Sequence, residues 1–186
     1  PLGRFDCVPV VSGANAVIVA RADLARHPGT VRVRALQCLY NFDHQVGDGL
    51  QTSLATIANE LWKEAGVTPQ DMDLVSVYDD YPVMVLAQLA DLGFAPGGDL
   101  RSLISQVASH RLPVNTSGGQ LSAGQAGAAG GMHGLVEAIT QLRHEAGERQ
   151  INDATLAVVS GYGMVEYRYG MCANAVVLER AHERNR

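Results

Sequence analysis

Four side chains that can exchange protons stand together at residues 78–81, where the sequence reads Tyr-Asp-Asp-Tyr. Phenols and carboxylates both act as general acids and bases in enzymes. They adjoin residues 81–94, whose apolar pattern predicts a helix with Pro82 in its first turn. A structural interpretation competes with the chemical one, because tyrosines are often half-buried in cores and Asp79 or Asp80 could cap that helix.

A second candidate is the uncharged, glycine-rich segment 115–131, which reads NTSGGQLSAGQAGAAGG. Glycine accepts positive φ and lets another group touch the backbone. The segment leads into a predicted helix over 132–147, whose N-terminus offers free N–H groups to an anion or a thioester carbonyl. A flexible linker is less consistent with the pattern, since a strand precedes and a helix follows. The glycine spacing also does not match a dinucleotide-binding fingerprint.

Three further residues could reach a site. Tyr162 stands between glycines at 161 and 163, which would expose its phenol where a predicted strand ends. His133 lies at the start of the predicted helix 132–147, and His44 lies in the polar loop 40–49. For both histidines the competing interpretation is a surface or packing role. The sequence has neither a histidine pair at helical spacing nor a cysteine–histidine cluster, so it predicts no metal site.

Composition excludes several classes of protein. The chain has 186 residues, of which 47% are hydrophobic, with a formal net charge of −5. Its 14 lysines and arginines are scattered, so we expect no nucleic-acid partner. No apolar run approaches the roughly 18 residues of a membrane span, and we expect no signal peptide. Three widely spaced cysteines predict no disulfide framework, so a reducing cytoplasm is expected. Because the chain opens on Pro1, we expect a fragment of a longer polypeptide.

Strand and helix patterns alternate along the chain, which predicts an α/β domain with a mixed, mostly parallel sheet covered by helices. The predicted strands are two apolar runs joined by a glycine turn within 7–21, then 30–39, 73–79, 112–115, 155–161 and 172–180. The predicted helices are 50–65, 81–94, a weaker 100–109, and 132–147.

The glycine segment resembles the N-x-[NS]-G-G-x(4)-G-H-P-x-G-x-[ST]-G signature of thiolases. Its fixed positions are matched at Asn115, Gly118, Gly119, Gly124 and Gly131.

Three other segments resemble thiolase motifs in the correct order, so the likeness covers nearly the whole chain. Residues 6–19 are similar to the strand that closes the N-terminal domain. Residues 74–94 resemble the strand and helix that carry N-E-A-F or H-D-C-F, and residues 160–180 resemble the closing C-x-G-G-G hairpin.

This resemblance implies a βαβαβαββ half of the thiolase fold. Residues 1–26 would be the last strands of the N-terminal domain, and 27–186 would be the C-terminal domain. In that family the site lies between two halves, and the nucleophilic cysteine belongs to the N-terminal half, before Pro1. The C-terminal half supplies an asparagine or histidine, the histidine of G-H-P and an acid/base cysteine.

The chain departs from the family at each of those three proton-handling positions. Gln125 stands where G-H-P has histidine, and Tyr78 stands at the asparagine or histidine position. The cysteine position falls at Ser160 or Gly161, beside Tyr162, and an apparent insertion over 165–171 leaves Cys172 too far along to replace it. Glutamine donates a hydrogen bond but does not shuttle a proton.

The retained glycines with altered acid/base groups are similar to the thiolase-like lipid-transfer aldolases that shorten steroid side chains. The resemblance implies retro-aldol cleavage of a β-hydroxyacyl-CoA, which needs deprotonation of the hydroxyl and stabilisation of the thioester enolate. The expected catalytic residues are Tyr78, Asp80, Tyr81 and Tyr162. The expected substrate-binding residues are Asn115, Ser117, Gly118, Gly119, Gln125, His133 and Gly161.

The same resemblance implies no cofactor beyond the coenzyme A thioester substrate, a homodimer, and a small OB-fold partner of the DUF35 type. Two other functions stay open: a conventional acetyl-CoA acyltransferase, and a non-catalytic acyl-CoA-binding subunit of a complex. Without the N-terminal half, the chain alone is expected to be inactive.

Overall fold

The computed structural model describes residues 2–25, 29–40, 51–166 and 169–181, with side chains except at 164–171. Four strands form one sheet: β1 (Val31–Tyr40), β2 (Leu74–Val77), β3 (Leu156–Glu166) and β4 (Tyr169–Arg180). The α-helices are α1 (Leu54–Ala65), α2 (Pro82–Asp91), α3 (Leu100–Ala108), α4 (Gly119–Ala123) and α5 (His133–Leu142). Short 3-10 helices cover Arg4–Asp6, Pro69–Asp71, Pro96–Gly98, Gly127–Met132 and Gly147–Arg149.

The sheet has the strand order β1-β4-β3-β2, which confirms a mixed α/β fold but corrects the expected share of parallel pairing. Only β2 and β3 pair in parallel, while β4 is antiparallel to both β3 and β1. Three of the four strands do run in one direction. The reversed strand β4 lies between two of them, because it folds back directly from β3, and its position makes both of its pairings antiparallel.

Helices cover both faces of the sheet. On one face α1, α2 and α3 bury leucines at 54, 61, 89 and 103 against Val75, Val158 and Val177. On the other face α5 packs Ala138 and Leu142 against Leu74, Ala157 and Leu178. Neighbouring residues of β2 and β3 therefore serve opposite cores, as the two-residue period of a strand requires.

The predicted helix 50–65 is confirmed from Leu54, and it ends where Gly66 adopts a left-handed conformation. The predicted helix 132–147 ends earlier, at Leu142, and a left-handed turn at His144 follows. Segment 112–115 forms a single parallel bridge, Val75 to Val114, rather than a full strand. Among the described residues, no helix combines the length and apolarity that crossing a membrane requires.

The two strands predicted within 7–21 are wrong for this structure. That segment pairs with the rest of the described chain only at one bridge, Val10 to Gln125, and the Ile18 residue is 96% exposed. A strand is stable only when a neighbouring edge accepts its backbone hydrogen bonds. The described residues offer 7–21 no such edge beyond this bridge, so an apolar pattern was not enough.

Candidate functional site

The candidate site lies where the parallel pairing of β2 with β3 ends, at Val77 and Ser160, a usual position of sites in α/β folds. β3 itself continues to Glu166, so Tyr162 lies within this strand and not, as the sequence had predicted, at a strand end. The Tyr78 N–H donates to the Ser160 carbonyl (3.0 Å), which carries the pairing one residue beyond β2. The rings of Tyr78 and Tyr162 then meet edge to face, with centroids 5.9 Å apart. The two predicted phenols are thus neighbours.

Asp80 joins this pair of phenols. The Tyr162 hydroxyl donates to Asp80 Oδ2 (3.4 Å), and the Tyr81 N–H donates to Asp80 Oδ1 (3.0 Å). Burial raises the pKa of Asp80 above its ordinary range, and it raises the pKa of Tyr162, to which the nearby Asp80 charge adds. A half-buried carboxylate beside a protonated phenol can accept a proton that the phenol passes on.

Gln125 binds the other phenol. Its side-chain amide donates to the Tyr78 hydroxyl oxygen at 3.0 Å, so the hydrogen of that hydroxyl remains available to another acceptor. Burial raises the pKa of Tyr78, which keeps this phenol protonated. The backbone of Gln125 is held by Pro9 O and by Val11 N–H, so the N-terminal segment helps to place the glutamine. The glycine segment therefore faces the tyrosines.

Asn115 serves the backbone of β2. Its side-chain oxygen accepts from the Val77 N–H (2.8 Å), and its side-chain amide donates to the Val77 carbonyl (3.0 Å). Asn115 has a left-handed backbone, with φ of 49°. Asparagine tolerates this conformation better than most residues. The residue predicted to bind substrate thus supports the end of β2 by binding both of its backbone groups.

Asp79 caps α4. The sequence had instead suggested that Asp79 could cap α2. Its carboxylate accepts from the backbone N–H groups of Gln120 (2.8 Å) and Leu121 (3.1 Å). The residue is only 3% exposed. A Cβ on Gly119 would overlap this carboxylate, and Gly119 has a φ of 61°. These two amides of the glycine segment therefore bind the protein's own carboxylate.

A small pocket lies between the end of β2, the adjoining part of β3 and the start of α5. Its lining includes Tyr78, Asn115, Ser117 and His133. The Ser117 hydroxyl and His133 Nε2 are 2.8 Å apart and share a hydrogen bond. His133 is the first residue of α5, so the helix start carries it into the pocket.

Three other predicted residues have simpler positions. Tyr81 is the N-cap residue of α2, and its side chain is exposed. Gly161 lies in β3 opposite Asn174, next to Tyr162. Gly118 forms the left-handed turn that starts α4, with φ of 85°. His44 lies outside the described residues.

Sequence reasoning missed Gln88, which is fully buried in α2 (0% exposed). Its amide donates to the Tyr78 carbonyl (2.6 Å), and its side-chain oxygen accepts from the Ser160 hydroxyl (3.1 Å). Gln88 thereby links the backbone of Tyr78 to β3, the strand that contains Tyr162. The available signal was a glutamine within the apolar pattern of α2, since a buried amide needs partners.

Known proteins are similar to this chain in fold and in sequence. Residues 41–180 match the family model described as Thiolase C-terminal domain-like. The chain belongs to this family. The Ltp2-ChsH2(DUF35) aldolase, a solved structure, aligns with a TM-score of 0.69 over 85% of this chain and 41% of its own, at 23% identity, which shows the shared fold.

Curated relatives carry two kinds of activity in their names. The 17-hydroxy-3-oxo-4-pregnene-20-carboxyl-CoA lyase of Mycobacterium tuberculosis is 33% identical over 77% of this chain and 39% of its own length. The acetyl-CoA acetyltransferase of Methanothermobacter thermautotrophicus is 33% identical over 88% of this chain and 45% of its own. The steroid side-chain-cleaving aldolase of Thermomonospora curvata is 28% identical over 88% and 44%. The chain thus spans less than half the length of each of these relatives.

Proposed function

We propose that this chain is the C-terminal half of an enzyme that cleaves a carbon–carbon bond of an acyl-CoA thioester by a retro-aldol reaction. The observation that carries the proposal is the phenol–carboxylate cluster of Tyr78, Asp80 and Tyr162, where the parallel pairing of β2 with β3 ends. The names of the lyase and aldolase relatives favour the same reaction class. The substrate class is a β-hydroxyacyl-CoA with a steroid or other lipid side chain.

Cleavage begins with the proton of the β-hydroxyl. Tyr162 takes this proton as its own passes to Asp80, along the hydrogen bond that already joins the two side chains. The Cα–Cβ bond then breaks, the hydroxyl carbon becomes a ketone or aldehyde, and the electron pair forms the thioester enolate. A proton added at Cα yields the shortened acyl-CoA. No cysteine nucleophile takes part.

The other residues orient the substrate. Tyr78 gives its free hydroxyl hydrogen to a substrate oxygen, because Gln125 already occupies its oxygen as a donor. The exposed Tyr81 contacts the acyl chain at the rim of the site. Backbone at Gly131, where an added Cβ would meet nothing within 4 Å, leaves room for the thioester. Asn115, Gly118, Gly119 and Gly161 shape the walls, and Ser117 and His133 complete the pocket.

The active assembly is a cytoplasmic homodimer with an OB-fold partner of the DUF35 type, and the chain alone is inactive. The name of the solved Ltp2-ChsH2(DUF35) aldolase includes such a partner. In thiolases the site lies between two halves, and this chain spans less than half of its relatives.

The test measures release of ketone or aldehyde from β-hydroxyacyl-CoAs by the full-length protein with its partner. We expect Asp80→Asn to lower kcat by about 10²- to 10⁴-fold, the usual contribution of a general base. The control is Asp153→Asn, an exposed aspartate with a left-handed backbone that asparagine also tolerates. Equal rates in Asp80→Asn and Asp153→Asn would refute the role of Asp80, and no cleavage by the wild type would refute the function.

Acyl transfer is the second candidate, and the acetyltransferase relative favours it. It requires a nucleophilic cysteine. In thiolases this cysteine belongs to the N-terminal half. Mass spectrometry of the full-length protein after incubation with acetyl-CoA distinguishes the two functions. A stable acyl-cysteine supports acyl transfer, and its absence together with aldehyde or ketone release supports the aldolase.

A further inference from the structure

The pocket at the start of α5 holds a second pair of side chains that can transfer a proton. Ser117 Oγ and His133 Nε2 are 2.8 Å apart, within the range of a nucleophile or acid bonded to its base. Both residues are only partly exposed, and both line the same pocket as Tyr78. The proton transfer through Tyr162 and Asp80 does not involve Ser117 or His133, so these two residues are available for another step.

The same pocket contains buried oxygens that need a polar occupant. The Ser76 hydroxyl and Gln120 Oε1 are buried, in residues 1% and 2% exposed, and neither has a hydrogen-bond partner within the described structure. Both residues belong to the pocket lining. Buried polar groups are almost always paired with protein, water or ligand. Two unpaired oxygens therefore lie in the wall of the pocket that Ser117 and His133 share.

Asp79 lines the same pocket as Ser117 and His133. Burial raises the pKa of Asp79, and a positive charge on the nearby His133 acts against that effect. A carboxylate therefore lies close to the imidazole at the start of α5.

We propose that the Ser117–His133 pair delivers the proton that converts the thioester enolate into the product acyl-CoA. This inference rests on the proposed function and assigns its second proton transfer. The Ser117 hydroxyl gives its hydrogen to Cα while protonated His133 returns one to the Ser117 oxygen. The enolate electron pair forms the Cα–H bond, the thioester carbonyl is restored, and His133 regains its proton from solvent as Asp80 loses to solvent the proton it took from Tyr162.

Microscopic reversibility makes this step measurable without cleavage, because the same groups remove a proton from Cα of the product. The experiment incubates the full-length protein and its partner with acetyl-CoA in D2O and follows deuterium at Cα by mass spectrometry. Cleavage of β-hydroxyacyl-CoAs is measured on the same samples. We expect His133→Gln and Ser117→Ala to slow the exchange by about 100-fold or more.

Matched controls are His110→Gln and Ser105→Ala, whose side chains are exposed on and after α3. They should exchange at the wild-type rate. Since a misfolded variant would also be slow, His133→Ala is tested with added imidazole, and recovery of exchange supports proton transfer by this side chain.

Three results would contradict either the role assigned to Ser117 and His133 or the proposed function. Exchange in His133→Gln within about threefold of the wild type would overturn the assignment, because loss of a general acid costs far more. Failure of imidazole to restore exchange in a His133→Ala variant whose circular dichroism remains native would also overturn it. Absence of cleavage by the wild type, whatever the exchange rate, would refute the proposed function instead.

Discussion

The fit between Gly119 and Asp79 gives the sharpest test of how the site is built. In Gly119→Ala the new methyl group overlaps the Asp79 carboxylate, and alanine must adopt the left-handed φ of 61°. The backbone conformation alone costs about 1–2 kcal/mol. Displacing the carboxylate also breaks its hydrogen bonds to Gln120 and Leu121 N–H groups, each worth about 1.5–3 kcal/mol because one partner is charged.

Gly127→Ala provides the matched control. Gly127 also has a left-handed φ, of 54°, but a Cβ there meets nothing within 4 Å. The difference between the two variants therefore measures the carboxylate contact without the backbone term. We expect Gly119→Ala to lower the free energy of unfolding by about 3–6 kcal/mol more than Gly127→Ala does, the sum of the two lost hydrogen bonds.

Urea unfolding of the full-length protein, followed by circular dichroism, measures this difference. The CoA-ester affinity of each variant is measured in parallel, because displacement of Asp79 also shifts α4 beside the pocket. If the two alanine variants unfold at the same urea concentration, Asp79 does not hold α4 against Gly119, and the account of the glycine segment is refuted.

Four further outcomes are expected. The cleavage rate of the wild type should rise with pH as Asp80 ionises, and a pH–rate profile of kcat checks this. Tyr162→Phe should raise the pKa of Asp80 in an NMR titration of its carboxyl carbon, since the hydrogen bond from Tyr162 lowers that pKa. Burial would raise the pKa of Glu137, but hydrogen bonds from Arg149, Gln141 and Thr116 lower it below the ordinary 4.5. The ionised Glu137 therefore stabilises the fold fully above that pH, and this stabilisation is lost as the pH falls through the lowered pKa. Thermal melts should therefore show a smaller acid-side loss in Glu137→Gln. Gln88→Leu leaves the Tyr78 carbonyl and the Ser160 hydroxyl unpaired, so it should lower the free energy of unfolding in urea by about 2–4 kcal/mol. The control Gln106→Leu, at a partly exposed position, should lower it by less than about 0.5 kcal/mol.

Much of the site was within reach of the sequence. The two residues flanking the parallel pair, Tyr78 and Tyr162, follow apolar strand patterns, and parallel strands bring their carboxyl ends together. The glycine pattern at 118–119 predicted a close backbone approach, which the structure shows at Asp79. Membership of the thiolase C-terminal domain-like family was also apparent from the order of the motifs and is confirmed.

The remaining features depend on contacts between distant residues. Asp79 could equally have capped the helix that begins three residues later, and only the packing of α4 against the end of β2 gives it the amides of Gln120 and Leu121. Gln88 looked like an interruption of an apolar pattern, because its partners Tyr78 and Ser160 lie on two separate strands. Local patterns carry no information on such partners.

By itself, the sequence determined the kinds of element, their order and the residue types available for proton transfer, because hydrophobic periodicity and glycine conformation act over a few neighbouring residues. The tertiary structure decided which of those groups meet. It inserted β4 between β1 and β3, left segment 7–21 with only one bridge, and separated a phenol–carboxylate pair from a serine–histidine pair. The reason is physical: hydrogen bonds and charges act over a few ångströms, and only the folded chain sets those distances.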